Sequence, residues 1–427
     1  MDNIVLPKEI GYSPSLPSLP ECNSLEVVLA PVNGSEFQAN SMIIFDLPSR
    51  GYLDPQSVYL RYKYTISDSS TNTSAIRGTP IYSFFNKLET VFGSTVVESI
   101  NNYGQICNMM TNLQLSIADK YGQQTAYGWS HTGSTPTLLD MDGRYCGNNE
   151  VNTLAAPLPC ILSMSEKLIP LELMPNVRIQ LSVDSIANIF AAISGTSVQP
   201  SSFKLSNVEL CYSSVNFTGG VTDMVKNMGD PFYIKTTSWK NMGASLATGV
   251  NGSIDLVYNL RLASVKSLFA HFVGQTASKA INGLYDSFDV TSGNGEYSFN
   301  IAGVSYPSRP VSTLNSKAAF LMELKKACGA LHSTSYQSSI STQEFSVLDS
   351  ATATTLTTPA KFFFGVNTEK LSSNGALLTG ISTQSSPISL RISTNTATTQ
   401  AYNVYLLAMY DALIAVNPHD RSASVKE

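Results

Sequence analysis

The sequence is poor in charge. Of 427 residues, 13% are Asp, Glu, Lys or Arg, about half the share of an ordinary globular chain. Its polarity comes from Ser, Thr, Asn and Gln instead. Another protein can cover such a surface without stripping ions of water, a step that costs several kcal/mol per unpaired ion. That suits a subunit of a large assembly, and equally an uncharged extracellular β-protein.

Basic runs are missing, and the formal charge is −5 with a sequence pI of about 5.5. No direct nucleic-acid binding is expected, because nothing offers a phosphate backbone a positive footprint. No apolar run approaches the roughly 20 residues that cross a bilayer as a helix. The first residues, MDNIVLPKEIGYSPSLPSLPE, lack the basic flank and long apolar core of a secretory signal, so the chain is expected to stay in a reducing cell interior. The six cysteines, at 22, 107, 146, 160, 211 and 328, contain no C-x-x-C pair and read as free thiols. Four N-x-S/T sequons, at Asn33, Asn72, Asn216 and Asn251, would then stay unmodified.

Catalytic signatures are missing as well. The four histidines, His131, His271, His332 and His419, stand apart, whereas a metal-binding β-barrel wants paired histidines with a carboxylate. There is no G-x-S-x-G elbow, P-loop or G-x-G-x-x-G fingerprint. The run SGNGEYSFN leads into an alternating strand and reads as a turn. Asp140 and Asp142 precede Gly143 but lack the third acidic position and distant Glu of a calcium loop. Cys328 and His332 lie one helical turn apart with Glu323 nearby, and read as a buried thiol beside a helix-ending histidine. No catalytic, cofactor-binding or metal-ligating residue is assigned, no cofactor is expected, and the chain is not expected to be an enzyme.

What is present is alternation. In SVYLRYKYTIS, Val58, Leu60, Tyr62, Tyr64 and Ile66 share one face; in NVRIQLSVDSI, Val177, Ile179, Leu181 and Val183 do; in SIDLVYNLRL, Ile254, Leu256, Tyr258, Leu260 and Leu262 do. This period of two marks strands with one buried face. Two stretches break it with helical spacing. NNYGQICNMMTNLQLSIADKYG places Ile106, Met109, Met110, Leu113 and Ile117 on one stripe, and KAAFLMELKKACGALHS does so with Phe320, Leu324, Ala327, Cys328 and Leu331. Each helix follows several strands and precedes several more. The unit N-V-x-L recurs at Asn207 and Asn403, 196 residues apart. The chain therefore reads as two copies of one β-domain joined near FTGGVTD, residues 217–223. Prolines at 7, 14, 17 and 20 make residues 1–24 an extended arm. Segments 67–80, 120–160 and 186–202 read as long loops.

In this order, FFNKLETVFGSTVVESINNYG (84–104), KLIPLELMPNVRIQLSV (167–183), YSFNIAGVSYPSRPV (297–311), FFFGVNTEKLSSNGALLTGIS (362–382) and the closing VYLLAMYDALIAV resemble the double jelly-roll major capsid proteins of icosahedral double-stranded DNA viruses. Those of polinton-like viruses and virophages are the most similar, with adenovirus hexon and the large algal-virus capsid proteins more distant. The resemblance implies an all-β chain of two tandem eight-stranded jelly-roll β-sandwiches, each with a short flanking helix. Its divisions would be an arm at 1–24, jelly rolls at 25–220 and 221–417, and a tail at 418–427. It implies a homotrimer, a pseudo-hexameric capsomer tiling an icosahedral virion shell. Neighbouring trimers, penton and minor capsid proteins would be partners, with the arm able to reach an internal membrane. The three long loops would be outer towers or contacts between trimers. The alternative is a carbohydrate-binding or adhesive β-sandwich, which expects exposed aromatic rings, with Trp129 and Trp239 as the tryptophans available.

Overall fold

The computed structural model describes residues 21–67, 74–129, 143–145, 149–192, 200–218, 220–275, 285–291, 295–312, 317–329, 331, 338–346, 360–370, 378–394 and 396–427. Its first eight long strands are β1 (Cys22–Leu29), β2 (Met42–Leu47), β3 (Tyr59–Ser67), β4 (Phe85–Phe92), β5 (Thr95–Asn101), β6 (Val151–Pro157), β7 (Val177–Val183) and β8 (Ser202–Phe217). They pair as two sheets, in the orders β1-β8-β3-β6 and β2-β7-β4-β5. The next eight are β9 (Phe232–Leu246), β10 (Gly252–Tyr258), β11 (Val265–Gly274), β12 (Glu296–Ile301), β13 (Val304–Ser312), β14 (Phe363–Asn367), β15 (Ile388–Thr394) and β16 (Tyr402–Asn417). They repeat the scheme as β9-β16-β11-β14 and β10-β15-β12-β13. First strand beside last and second beside seventh, in two facing antiparallel sheets, is the jelly-roll order. The chain is an all-β double jelly roll, as expected.

Burial explains why these segments are strands. Val58, Leu60, Tyr62, Tyr64 and Ile66 are all buried, as are Val177, Ile179, Leu181 and Val183. Each large side chain so buried contributes about 1.5–3 kcal/mol. In the third expected strand Ile254 is half-buried and Leu256 and Tyr258 are buried, but pairing stops at Tyr258, and Leu260 and Leu262 are buried beyond it. The repeat is visible in detail. From Val208 to Ser214 and from Val404 to Tyr410 the pattern of buried and half-buried residues is the same, position for position, at the 196-residue offset. The β4–β5 and β12–β13 hairpins also correspond, closing at Phe92↔Thr95 and Ile301↔Val304.

Each half has its helix between the fifth and sixth strands. In α1 (Tyr103–Gln114), Ile106, Met109 and Leu113 are buried and Met110 is half-buried. The helix is shorter than its periodicity suggests. Ser116 starts a separate helix, Ile117–Gly122, through a capping box with Asp119, and Ile117 ends up exposed. In α2 (Ala318–Ala327), Phe320, Leu324 and Ala327 are buried. Cys328 is half-buried at the helix end, and Leu331, expected on the buried stripe, is exposed beyond it. Phe320 packs edge-on against Tyr297 and Phe364, at 4.8 and 5.2 Å between ring centroids, closing the side of the second sandwich.

The ends and loops need correction. Residues 1–20 of the expected arm lie outside the described residues, and Cys22 to Ser24 already belong to β1, paired with Asn216 and its neighbours on β8. The expected tail is folded: β17 (Ser422–Lys426) pairs with β16 and extends its sheet. The segment 120–160 contains β6, a sandwich strand. Parts of all three expected loops meet in one small sheet, Phe190–Ala192 beside Ser74–Arg77 beside Gly143–Tyr145. Short strands at a rim show no full period in sequence, which is why they read as loops.

Candidate functional site

The residues singled out for chemistry do not converge. The Cys328 thiol is pushed up to about 12 by burial, which keeps it protonated and unreactive. Its expected companion His332 lies outside the described residues, as do Asp140, Asp142, His131 and Cys146. His271 is buried in β11, where loss of solvent holds it down to about 4, and its Nε2 lies 3.3 Å from the Asp286 carbonyl oxygen. His419 is exposed. The five described cysteines are free. Among the described residues, no three His, Cys, Asp or Glu side chains gather to hold a metal ion. Among them, too, no helix is long and apolar enough to cross a membrane. Trp129 and Trp239 are both buried, so neither is available to stack on a sugar.

The polar groups that do converge lie where the two jelly rolls meet. Glu98, on β5, is buried, and its carboxylate accepts from Thr90 Oγ1 at 2.8 Å, from the Ile161 backbone N–H at 3.0 Å and from the Ser238 hydroxyl of β9. Burial raises its pKa above the ordinary carboxylate value, and the three donors pull the other way. Thr236 donates to the Ile161 carbonyl at 2.6 Å, and Asn241 to the Asn101 carbonyl at 2.8 Å.

A second cluster holds a buried ion pair. Arg77 Nη2 donates to both carboxylate oxygens of Asp286, at 3.0 and 2.9 Å, with side chains 5% and 2% exposed. Asp286 also accepts from the Ala360 N–H at 3.0 Å. Beside it the Tyr285 hydroxyl donates to the Ser83 carbonyl at 3.1 Å, and its ring lies against Gly78. A Cβ at Gly78 would come within 2.8 Å of that ring, and the backbone there has φ +73°. Both features demand glycine. A mainly apolar pocket of about 200 Å³ is lined by Tyr103 and Ile106 of the first half and Trp239 of the second.

This constellation joins two sandwiches; it presents no nucleophile, base or ligand set to a substrate. The sequence did carry a signal for it. Glu98 falls on the buried phase of an alternating strand, and a charge there is rarely tolerated without partners. Arg77 and Asp286 carry no such signal, since their partnership spans 209 residues.

No protein-family model matches the chain, and no curated protein matches it in sequence. Solved structures do. The crystal structure of VP54 of PBCV-1, in the copy fitted into a reconstruction of the virophage Sputnik, is similar with a TM-score of 0.64 at 10% identity, covering 97% of this chain and 99% of that one. The Faustovirus major capsid protein gives 0.58 at 10% identity over 97% and 93% of the two chains. The mavirus major capsid protein gives 0.54 at 8% identity over 100% and 96%. The likeness is one of fold, and it extends over essentially the whole of each chain.

Proposed function

We propose that this protein is a major capsid protein, a structural subunit that forms pseudo-hexameric homotrimers tiling an icosahedral shell. The observation that carries the reading is that one complete jelly roll is built twice in a single chain, and that the likeness to the Faustovirus and mavirus major capsid proteins runs over nearly the whole chain. Duplication has a geometric use: three chains bring six sandwiches, and a threefold object gains a nearly sixfold outline. A surface of neutral hydroxyls and amides suits the obligate contacts of such a block, on the order of 2,000 Å² or more. The working divisions are jelly rolls at 25–220 and 221–417, with β1 beginning inside the expected arm and β17 occupying the expected tail. The protein acts in the virion, is made in the host cell interior and is not an enzyme. Its partners are its own copies, neighbouring trimers, penton and minor capsid proteins, and an internal membrane reached through residues 1–20.

Light scattering on purified protein tests this. The expected mass is three times 46.0 kDa or that of larger shells, with hexagonal blocks in negative stain; a monomer under all conditions would refute the reading. Deleting residues 1–20 should leave trimers and weaken shell assembly.

A further inference from the structure

Within one chain, β9 of the second jelly roll seats against the β4–β5 hairpin of the first. On the sheet face that carries Trp239, Phe269, His271 and Leu407, every one of these residues is buried. The repeat identifies the matching elements of the other half. Ser214 and Tyr410 are equivalent on β8 and β16, and they pair with Leu25 and Ser238, so Leu25 stands where Ser238 does. On the same register Val28 stands where Asn241 does. The hairpins align through their closing pairs, and Thr90↔Glu98 corresponds to Phe299↔Tyr306, so Tyr306 stands where Glu98 does.

Among the described residues these matching elements are less covered than their counterparts, although Val27 and Leu29 of β1 and Tyr306 of β13 rest partly on their own core. Leu25 is 60% exposed where Ser238 is 1%, Val28 is 47% exposed where Asn241 is half-buried, and Tyr306 is half-buried where Glu98 is 1% exposed. Around Val28, Glu26 is exposed and Arg61 is half-buried, whereas their counterparts in the second half, Trp239 and His271, are buried.

We infer that β1 of one copy seats against the β12–β13 hairpin of the next, Leu25 against Tyr306, by the geometry that seats Ser238 against Glu98 within the chain. The inference rests on the trimer reading above and names the surface that would form the trimer. The contact is head-to-tail, with different patches on the two copies, so it closes into a ring or propagates. Its chemistry also separates right from wrong pairings. The junction within the chain is a hydroxyl on a carboxylate, and the junction between copies is aliphatic on aromatic. Leu25 placed against Glu98 would leave that buried carboxylate without its hydroxyl donor.

Short bismaleimide cross-linking tests the pairing in a Cys22→Ser background. The double variant Leu25→Cys with Tyr306→Cys should give covalent species of two and three chains. Each single variant should stay at one chain, and co-expressed single variants should give two-chain species and nothing larger. Val304→Cys, at an exposed position, replaces Tyr306→Cys if the latter lowers thermal stability. Independently, Leu25→Asp should shift the scattering mass from three times 46.0 kDa toward 46.0 kDa with an unchanged circular dichroism spectrum. If the wild type is trimeric but Leu25→Asp leaves it so and no heterologous cross-link forms, this surface is wrong and the trimer stands. A single variant that cross-links to itself overturns the head-to-tail contact. A monomeric wild type overturns the capsid reading itself.

Discussion

Replacing Arg77 with Met keeps the length of the side chain and removes its charge. In the wild type the guanidinium Nη2 donates to both oxygens of the Asp286 carboxylate, at 3.0 and 2.9 Å, in a site where Asp286 is 2% exposed. Removing one partner of a buried pair costs about 3–5 kcal/mol, because the remaining charge keeps its desolvation penalty and loses its compensation. Urea unfolding at fixed protein concentration should therefore show Arg77→Met less stable by that amount. The double variant Arg77→Met with Asp286→Leu should recover part of the loss, since no uncompensated charge is left behind. A single-variant loss below about 1 kcal/mol would place the pair among weak surface bridges. A double-variant loss equal to the sum of the two singles would show that the residues do not act as a pair. Either result refutes the reasoning.

Two buried titratable groups predict opposite pH slopes. Glu98 has a raised pKa, so its contribution is fully present below the ordinary carboxylate range and is lost as pH rises through the raised value; Glu98→Gln should flatten that limb in melting curves. His271 has its pKa lowered from 6.5 to about 4, so its contribution is present above 6.5 and is lost as pH falls toward 4, by about 3 kcal/mol; His271→Phe should remove this acid sensitivity. Phe320→Ala should cost about 3–5 kcal/mol in urea unfolding, because Phe320 is fully buried among Tyr297, Phe362 and Phe364. Gly365→Val should also destabilise, by about 1–3 kcal/mol, since a Cβ there would come within 2.8 Å of Leu324 and push α2 off β14.

The parts that could be read from sequence are those where local pattern and final burial coincide. β3 and β7 alternate because one face of each is core, and Tyr62 or Leu181 could not be moved to the other face without a change of register. The helices were visible from Ile106, Met109 and Leu113 and from Phe320 and Leu324, but their ends were not. Ile117 and Leu331 continue the apolar period in sequence while the backbone has already left the helix, at the Ser116 cap and beyond Gly329. The rim strands Ser74–Arg77 and Gly143–Tyr145 were missed because three or four residues do not define a period. β17 was missed because its partner on β16, Leu413 to Asn417, lies across a tight turn whose pairing depends on an already formed sheet.

The sequence by itself determined the fold class and its duplication: alternation and two interrupting helices follow from side-chain periodicity, which is a local property, and the N-V-x-L unit recurs in both halves. It offered no clustered catalytic motif, since the four histidines stand apart. Tertiary structure alone decided how the halves join. Arg77 finds Asp286, and Glu98 finds Ser238, only after two sandwiches have formed and turned particular edges toward each other. Such pairings are set by the packing of whole sheets, and no window of sequence contains both partners.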